Sequence, residues 1–298
     1  MPRREKVTMI DVRSALGAGE LGPFPFEQYA RCCLAQGDSW FSIGAVPPHF
    51  TTNLLLEMRL ARRTVVVQCA RPGKLLRLFT DTTREQDFLR MMQGPVSRRW
   101  DAILISGVGN DLVAALGSSP GEPPERRLLR TPAERGTGHH PAADYVSEPG
   151  WATFDAHIRH VFARLVELRE RGPNRQVPLV MHDYARVMPR PAPAGLGAGP
   201  WLHPAFEDYA VPHDDRLAVS DEFTARVAKL LKSMIDERMA ADPAAGLYLV
   251  NTRSADVELA AAGSTGRSGD WINEIHLTPE GYRKCTVLWA DVIDPLFA

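Results

Sequence analysis

Asp101-Ala102-Ile103-Leu104-Ile105-Ser106 runs straight into Gly107-Val108-Gly109-Asn110-Asp111. Four apolar residues follow one another without alternation, as expected of a strand covered on both faces, and the glycines behind them close it in a turn. The same reading applies to residues 30–36, 64–70, 177–182 and 247–251, where VVVQCA, VPLVMHD and LYLVN are again apolar almost throughout. Helical patterns lie between and after them. Residues 151–171 place Phe154, Ile158, Val161, Phe162, Leu165 and Leu168 at three-to-four spacing. Residues 51–62 predict a helix with Thr51 or Thr52 as N-cap, 220–241 one opened by Ser220, and 278–296 one capped by Thr278 with Pro279 in its first turn. Strands alternating with helices imply an α/β domain of three αβα layers around a mostly parallel sheet. The active site of such a sheet is expected at the carboxyl ends of its strands.

The rest of the chain fits a soluble globular protein. Of 298 residues, 44% are hydrophobic and 24% charged, which excludes collagen, coiled coil and wholesale disorder. Lys plus Arg number 35 against 36 Asp plus Glu, a net charge of −1, so no positive field exists to gather nucleic acid, and no nucleic-acid partner is expected. No run approaches the ~20 apolar residues of a membrane span, and MPRREKVTMIDV lacks the apolar core of a signal peptide, so a cytoplasmic location is expected. Cys32, Cys33, Cys69 and Cys285 show no C-x-x-C spacing, and neither a disulfide framework nor a zinc ribbon is expected. Residues 1–28 are read as an N-terminal arm laid on the surface and residues 29–298 as a single domain. Two long Pro/Gly-rich insertions interrupt it, at 117–150 and 185–216. The second, carrying Trp201 and Leu202, is assigned to the wall of the site, and the first receives no role.

Four short blocks could carry chemistry. Gly37-Asp38-Ser39-Trp40 places a serine in the turn after the first of these strands, where a nucleophile would sit. Ala70-Arg71-Pro72-Gly73 and Gly107-Val108-Gly109-Asn110 end two further strands in glycine turns at the same sheet edge. His276 stands just before the last helix, in Gly269-Asp270-Trp271-Ile272-Asn273-Glu274-Ile275-His276-Leu277-Thr278-Pro279. Taken singly, each block is equally well an ordinary turn or cap.

Together and in this order, the blocks resemble the SGNH hydrolases, also called the GDSL esterase/lipase family, over residues 32–289. The resemblance implies a flavodoxin-like sheet of five parallel strands in the order 2-1-3-4-5 and hydrolysis of a carboxylic ester through an acyl-enzyme. Ser39 would be the nucleophile, His276 its base, and the N–H groups of Ser39 and Gly73 with the side-chain amide of Asn110 would form the oxyanion hole. The implied partner is a small-molecule ester, and no cofactor or metal is called for. The family's usual aspartate three residues before the histidine is here Asn273. An amide can hold a histidine tautomer but supplies no charge to imidazolium. Asp270 is therefore the first choice of acid, with Glu274 and Asp183 as alternatives and a Ser–His dyad oriented by Asn273 as the fallback.

Other features read as structure. His157 and His160 lie three apart on one helix but lack the glutamate of H-E-x-x-H, His139-His140 sits in a polar loop, and Arg3-Arg4 and Arg62-Arg63 suit solvated faces. Neither G-x-G-x-x-G nor a Walker A sequence occurs, so a nucleotide cofactor has no support. Trp40, Trp201 and Trp271 suit an apolar wall for acyl chains and a stacking platform for sugars equally. A catalytically inactive flavodoxin-like domain that binds a ligand or partner is the alternative reading, with Asn273 as the mark of lost catalysis.

Overall fold

A computed structural model describes residues 3–17, 24–43, 52–195 and 197–298. Six parallel strands form the central sheet: β1 Thr8–Asp11, β2 Arg31–Gly37, β3 Thr64–Gln68, β4 Ala102–Ser106, β5 Leu179–His182 and β6 Leu247–Val250. Their order is β1-β3-β2-β4-β5-β6. All of β4 and all of β5 are buried, as their unbroken apolar runs require. The five strands expected from the sequence are present in the expected order, with β1 added at the edge beside β3. The chain leaves β2 for β3 on one side and returns to β4 on the other. That reversal opens a crevice at the carboxyl ends of β2 and β4, where open α/β sheets bind ligands.

Among the described residues five helices have eight residues or more: α1 Gln86–Gln93, α2 Gly109–Leu116, α3 Glu148–Glu170, α4 Arg216–Ala241 and α5 Pro279–Leu296. They bury stripes at helical spacing. On α5 these are Tyr282, Cys285, Trp289 and Ile293, and on α4 Val219, Phe223, Val227, Leu230 and Met234. Thr278 caps α5 as its sequence suggests, its side chain accepting the Gly281 N–H at 3.1 Å. The four cysteines are free and buried.

Three expectations need correction. Residues 1–28 are not wholly a surface arm, because Thr8–Asp11 pairs in parallel with Val65, Val66, Val67 and Gln68 as the edge strand. Asp11 ends that strand by accepting the Ser14 N–H at 2.7 Å. Residues 51–62 form only one helical turn, Leu54–Glu57, capped by Asn53; Arg59–Leu60 then runs antiparallel to Glu5–Lys6. Met58 and Leu60 satisfy strand alternation as well as Leu54, Leu55 and Met58 satisfy a helix, and the strand partner at residues 5–6 decides. The proposed cap Thr51 lies outside the described residues, as do residues 18–23 of the N-terminal segment. Ser220 is not a cap. Helix α4 begins a turn earlier, and Ser220 Oγ donates to the Val187 carbonyl at 2.9 Å from within it.

Deleting residues 1–11 is expected to cost at least about 2 kcal/mol, because the burial of Val7 and the partial burial of Met9 and Ile10 are lost and the β3 edge is exposed. A urea melt checks this. An unchanged midpoint would mean the segment is a dispensable arm.

Candidate active site

Ser39 opens a single helical turn, Ser39–Ser42, at the end of β2. Its N–H belongs to the donors that a helix start leaves without an intrahelical partner. Asp38 caps that turn: one carboxylate oxygen accepts the Trp40 N–H at 2.9 Å and the Ser106 hydroxyl at 2.8 Å, and the other accepts the Tyr184 hydroxyl at 2.7 Å. Burial pushes the Asp38 carboxyl up to about 6, against the pull of these three donors. Behind them His182 Nε2 meets Ser106 Oγ at 2.9 Å, and burial holds this imidazole down at about 3, so it is neutral.

Ser39 Oγ lies 2.8 Å from His276 Nε2, and His276 Nδ1 lies 3.0 Å from Asn273 Oδ1. The direction of the proton follows from the backbone. Asn273 Oδ1 also accepts the N–H groups of Ile275 at 3.1 Å and His276 at 2.9 Å, so it must be the oxygen and not the amide nitrogen. Nδ1 of His276 therefore carries its hydrogen, and Nε2 is the free base facing the Ser39 hydroxyl. Burial lowers the His276 pKa to about 4, leaving the base unprotonated across the neutral range.

Asp270 does not support His276. Its carboxylate accepts the Glu258 N–H at 2.7 Å and the Lys284 ammonium at 2.8 Å, two donors whose approach the sequence does not reveal. The assignment of Asp270 as the acid is withdrawn, and Asn273 occupies that place. Asp183 points elsewhere too, accepting the Arg253 N–H at 2.8 Å, with its carboxyl raised to about 6 by burial. Glu274 is a loop anchor: its buried carboxylate accepts the N–H groups of Arg190 at 3.1 Å, Leu202 at 2.8 Å, His203 at 2.7 Å and Trp201. Four backbone donors thus tie Arg190 and residues 201–203 to the histidine loop, and Trp201 stands edge-on to the His276 ring with centroids 5.2 Å apart. Arg190, fully buried, adds a bond to the Asn273 carbonyl at 2.7 Å.

The second and third blocks reach the same sheet edge. Arg71 N–H donates to the Gly37 carbonyl at 3.0 Å, and Asn110 Nδ2 donates to the Lys74 carbonyl at 3.2 Å. Gly73 lies between these two ties with φ +73°, which non-glycine residues rarely adopt, and a Cβ there would meet no atom within 4 Å. Gly73 is not among the residues lining the crevice at Ser39, whereas Asn110 is. At Gly109 the requirement is space, because a Cβ would stand 2.7 Å from the Tyr184 ring. Lys74 is pinned from behind. Its ammonium contacts Glu85 at 2.5 Å and Gln36 Oε1 at 3.3 Å in a buried cluster, where desolvation lowers its pKa. The sequence reading missed this cluster and the Asp38–Tyr184–Ser106–His182 network. The one available signal was position: Lys74 directly follows Gly73, and Asp38 directly precedes Ser39.

No family model matches the chain, and no curated protein matches it. Similar solved structures include a lipase from a goat rumen metagenome, at 12% identity over 88% of this chain and 96% of that one, with a TM-score of 0.48. An extracellular lipase from Streptomyces rimosus is 15% identical over 89% and 99%, at a TM-score of 0.46. Est24, a carbohydrate acetylesterase from Sinorhizobium meliloti, is 12% identical over 89% and 99%, at 0.48. At such identities and scores, nothing of the chemistry of those proteins passes to this chain by similarity alone. Among the described residues no group of three His, Cys, Asp or Glu side chains converges as a metal site, and no helix is long and apolar enough to cross a membrane.

Glu274→Ala is expected to destabilise the fold by at least about 3 kcal/mol, since four N–H groups, two of them in buried and two in part-buried hydrogen bonds, lose their acceptor. Thermal melts would show this, and a loss below about 1 kcal/mol would refute the anchoring role.

Proposed function

We propose that this chain is a serine ester hydrolase of the SGNH type, acting through an acyl-enzyme on Ser39. The observation that carries the reading is the line from Ser39 Oγ through His276 to Asn273 Oδ1, with both hydrogen bonds at 3.0 Å or less, at the mouth of a crevice. Ser39 Oγ attacks the ester carbonyl carbon as its proton passes to His276 Nε2. The resulting oxyanion is received by the Ser39 N–H and the Asn110 amide, to which the family resemblance adds the Gly73 N–H, each donor being worth about 3–4 kcal/mol in the transition state. Asn110 has two amide hydrogens, so the bond to the Lys74 carbonyl orients the group and leaves one hydrogen for the oxyanion. The alkoxide departs with the proton from Nε2, and water repeats the sequence on the acyl-enzyme.

Asn273 explains how this works without a carboxylate. Its oxygen is held by two backbone N–H groups, so the tautomer required of His276 is imposed by geometry. Only the charge that would stabilise imidazolium is missing. The resemblance of the four blocks to the family supports this reading over a binding domain, as does the hydrogen bond between two residues whose types and spacing carry no other evident purpose.

The test is hydrolysis of p-nitrophenyl acetate and butyrate by the wild type and by Ser39→Ala, with a fluorophosphonate probe alongside. Activity and labelling that both vanish in the variant are expected. Undiminished hydrolysis would overturn the assignment.

A second outcome follows from the depressed base. The acid limb of kcat/KM is expected near pH 4, because activity is lost only as His276 gains a proton. Asn273→Asp places a negative charge beside Nδ1 and should raise the His276 pKa by about 1–3 units, moving the limb upward toward neutral pH. A pH–rate profile decides, and a limb that does not move would mean Asn273 does not govern the base.

A further inference from the structure

The crevice that starts at Ser39 and Asn110 continues between α2 and α4. Its far walls are Leu112, Val113 and Leu116 on one side and Phe223 and Val227 on the other. Its cavity volume is only about 60 Å³, so it is narrow. The polar side chains along it, the Trp271 indole excepted, are already engaged. Ser220 Oγ donates to the Val187 carbonyl at 2.9 Å, Thr224 Oγ1 donates to the Ser220 carbonyl at 3.2 Å and accepts from Arg253 at 2.7 Å, and the Tyr184 hydroxyl is spent on Asp38. The Trp40 indole donates to the Ile275 carbonyl at 3.1 Å, and the unpaired Trp271 N–H is fully covered. With Trp40 4% and Trp271 1% exposed, neither ring offers an open face on which a sugar could stack.

A site with apolar walls, whose side-chain donors beyond the reacting end are engaged or covered, takes an alkyl chain better than a polyol, most of whose hydroxyls would be buried unpaired. From Asn110 to Leu116, α2 advances ~9 Å. An extended carbon chain advances ~1.3 Å per bond, three bonds covering the 3.8 Å between successive Cα atoms. We propose that this crevice is an acyl-chain site, that the substrates are esters of unbranched acyl chains of about eight carbons, and that Val113 and Leu116 set the chain length. The proposal rests on the ester hydrolase reading above.

The test is kcat/KM for p-nitrophenyl acetate, butyrate, hexanoate, octanoate and dodecanoate with the wild type, Ser39→Ala, Val113→Trp and Leu116→Phe. Each methylene taken into the crevice should raise the wild-type value by roughly fourfold, levelling off near octanoate. Val113 is only partly buried, so Val113→Trp should fold, and it should lower the octanoate-to-acetate ratio of kcat/KM by at least about tenfold. Leu116→Phe should move the plateau to shorter chains. A wild-type series that is flat or highest at acetate overturns the proposal, as does a Val113→Trp variant that slows every ester equally. Should either variant fail to fold, the wild-type series alone decides. If Ser39→Ala abolishes hydrolysis and chain length has no effect, the acyl site falls while the serine reading stands. If Ser39→Ala hydrolyses normally, the serine reading itself has failed.

Discussion

The bond from Ser39 Oγ to His276 Nε2 joins residues 237 positions apart, and most of the buried polar structure at this sheet edge holds its two ends in register. A displacement of about 1 Å would break it. The histidine end depends on the segment from Gly269 to Thr278, in which successive polar side chains have separate tasks. Asp270 ties the start of the segment to Glu258 and Lys284, Asn273 orients the imidazole, Glu274 clamps residues 190–203 against it, and Thr278 starts α5. No side chain in this set duplicates another.

The serine end is held from below by acceptors that burial makes costly to leave unpaired. Asp38 takes three donors, Ser106 bridges to His182, and the neutral imidazole of His182 ends the chain of bonds without adding a charge. Tyr184 can reach Asp38 only because residue 109 has no side chain, and residue 109 is also the position that introduces Asn110. The Ser39 turn and the Asn110 turn are therefore spaced by one aromatic ring. Lys74 does the same for the third turn: its carbonyl receives Asn110, while its ammonium is fixed to Glu85 and Gln36 beneath.

The sheet was legible because strands covered on both faces leave nothing but apolar runs, and their order came with the four blocks that end them. The edge strand Thr8–Asp11 was not, because it is four residues long, half-buried and interrupts no pattern. Ser39, Asn110 and His276 were singled out by type and position, and the fold brings Ser39 and His276 into hydrogen-bond contact. The partner of His276 was not settled by the sequence, because choosing between Asp270 and Asn273 depends on where Lys284 and the Glu258 N–H lie in space. Glu274 looked like a spare acid for the same reason. A carboxylate that accepts four backbone N–H groups from a distant loop leaves no trace in its neighbours along the chain.

The amide at 273 also settles which compromise the site makes. A carboxylate there would draw the buried imidazole's pKa upward and strengthen it as a base, since opposite charge favours the protonated form. It would also need its own desolvation offset, and Arg190, which bonds the Asn273 carbonyl, is already committed to it and to the carbonyls of Ser264 and Gly266. The amide avoids a second buried charge and leaves His276, at about 4, free to accept a proton even in mildly acidic solution. On the proposed hydrolase reading, the cost would be a weaker base and an imidazolium without a counter-charge, so more of the barrier would have to be lowered at the oxyanion. This is consistent with the elaborate bracing of Asn110 through Lys74 and Tyr184: where the histidine end carries no charge, the geometry of the donors at the other end matters more.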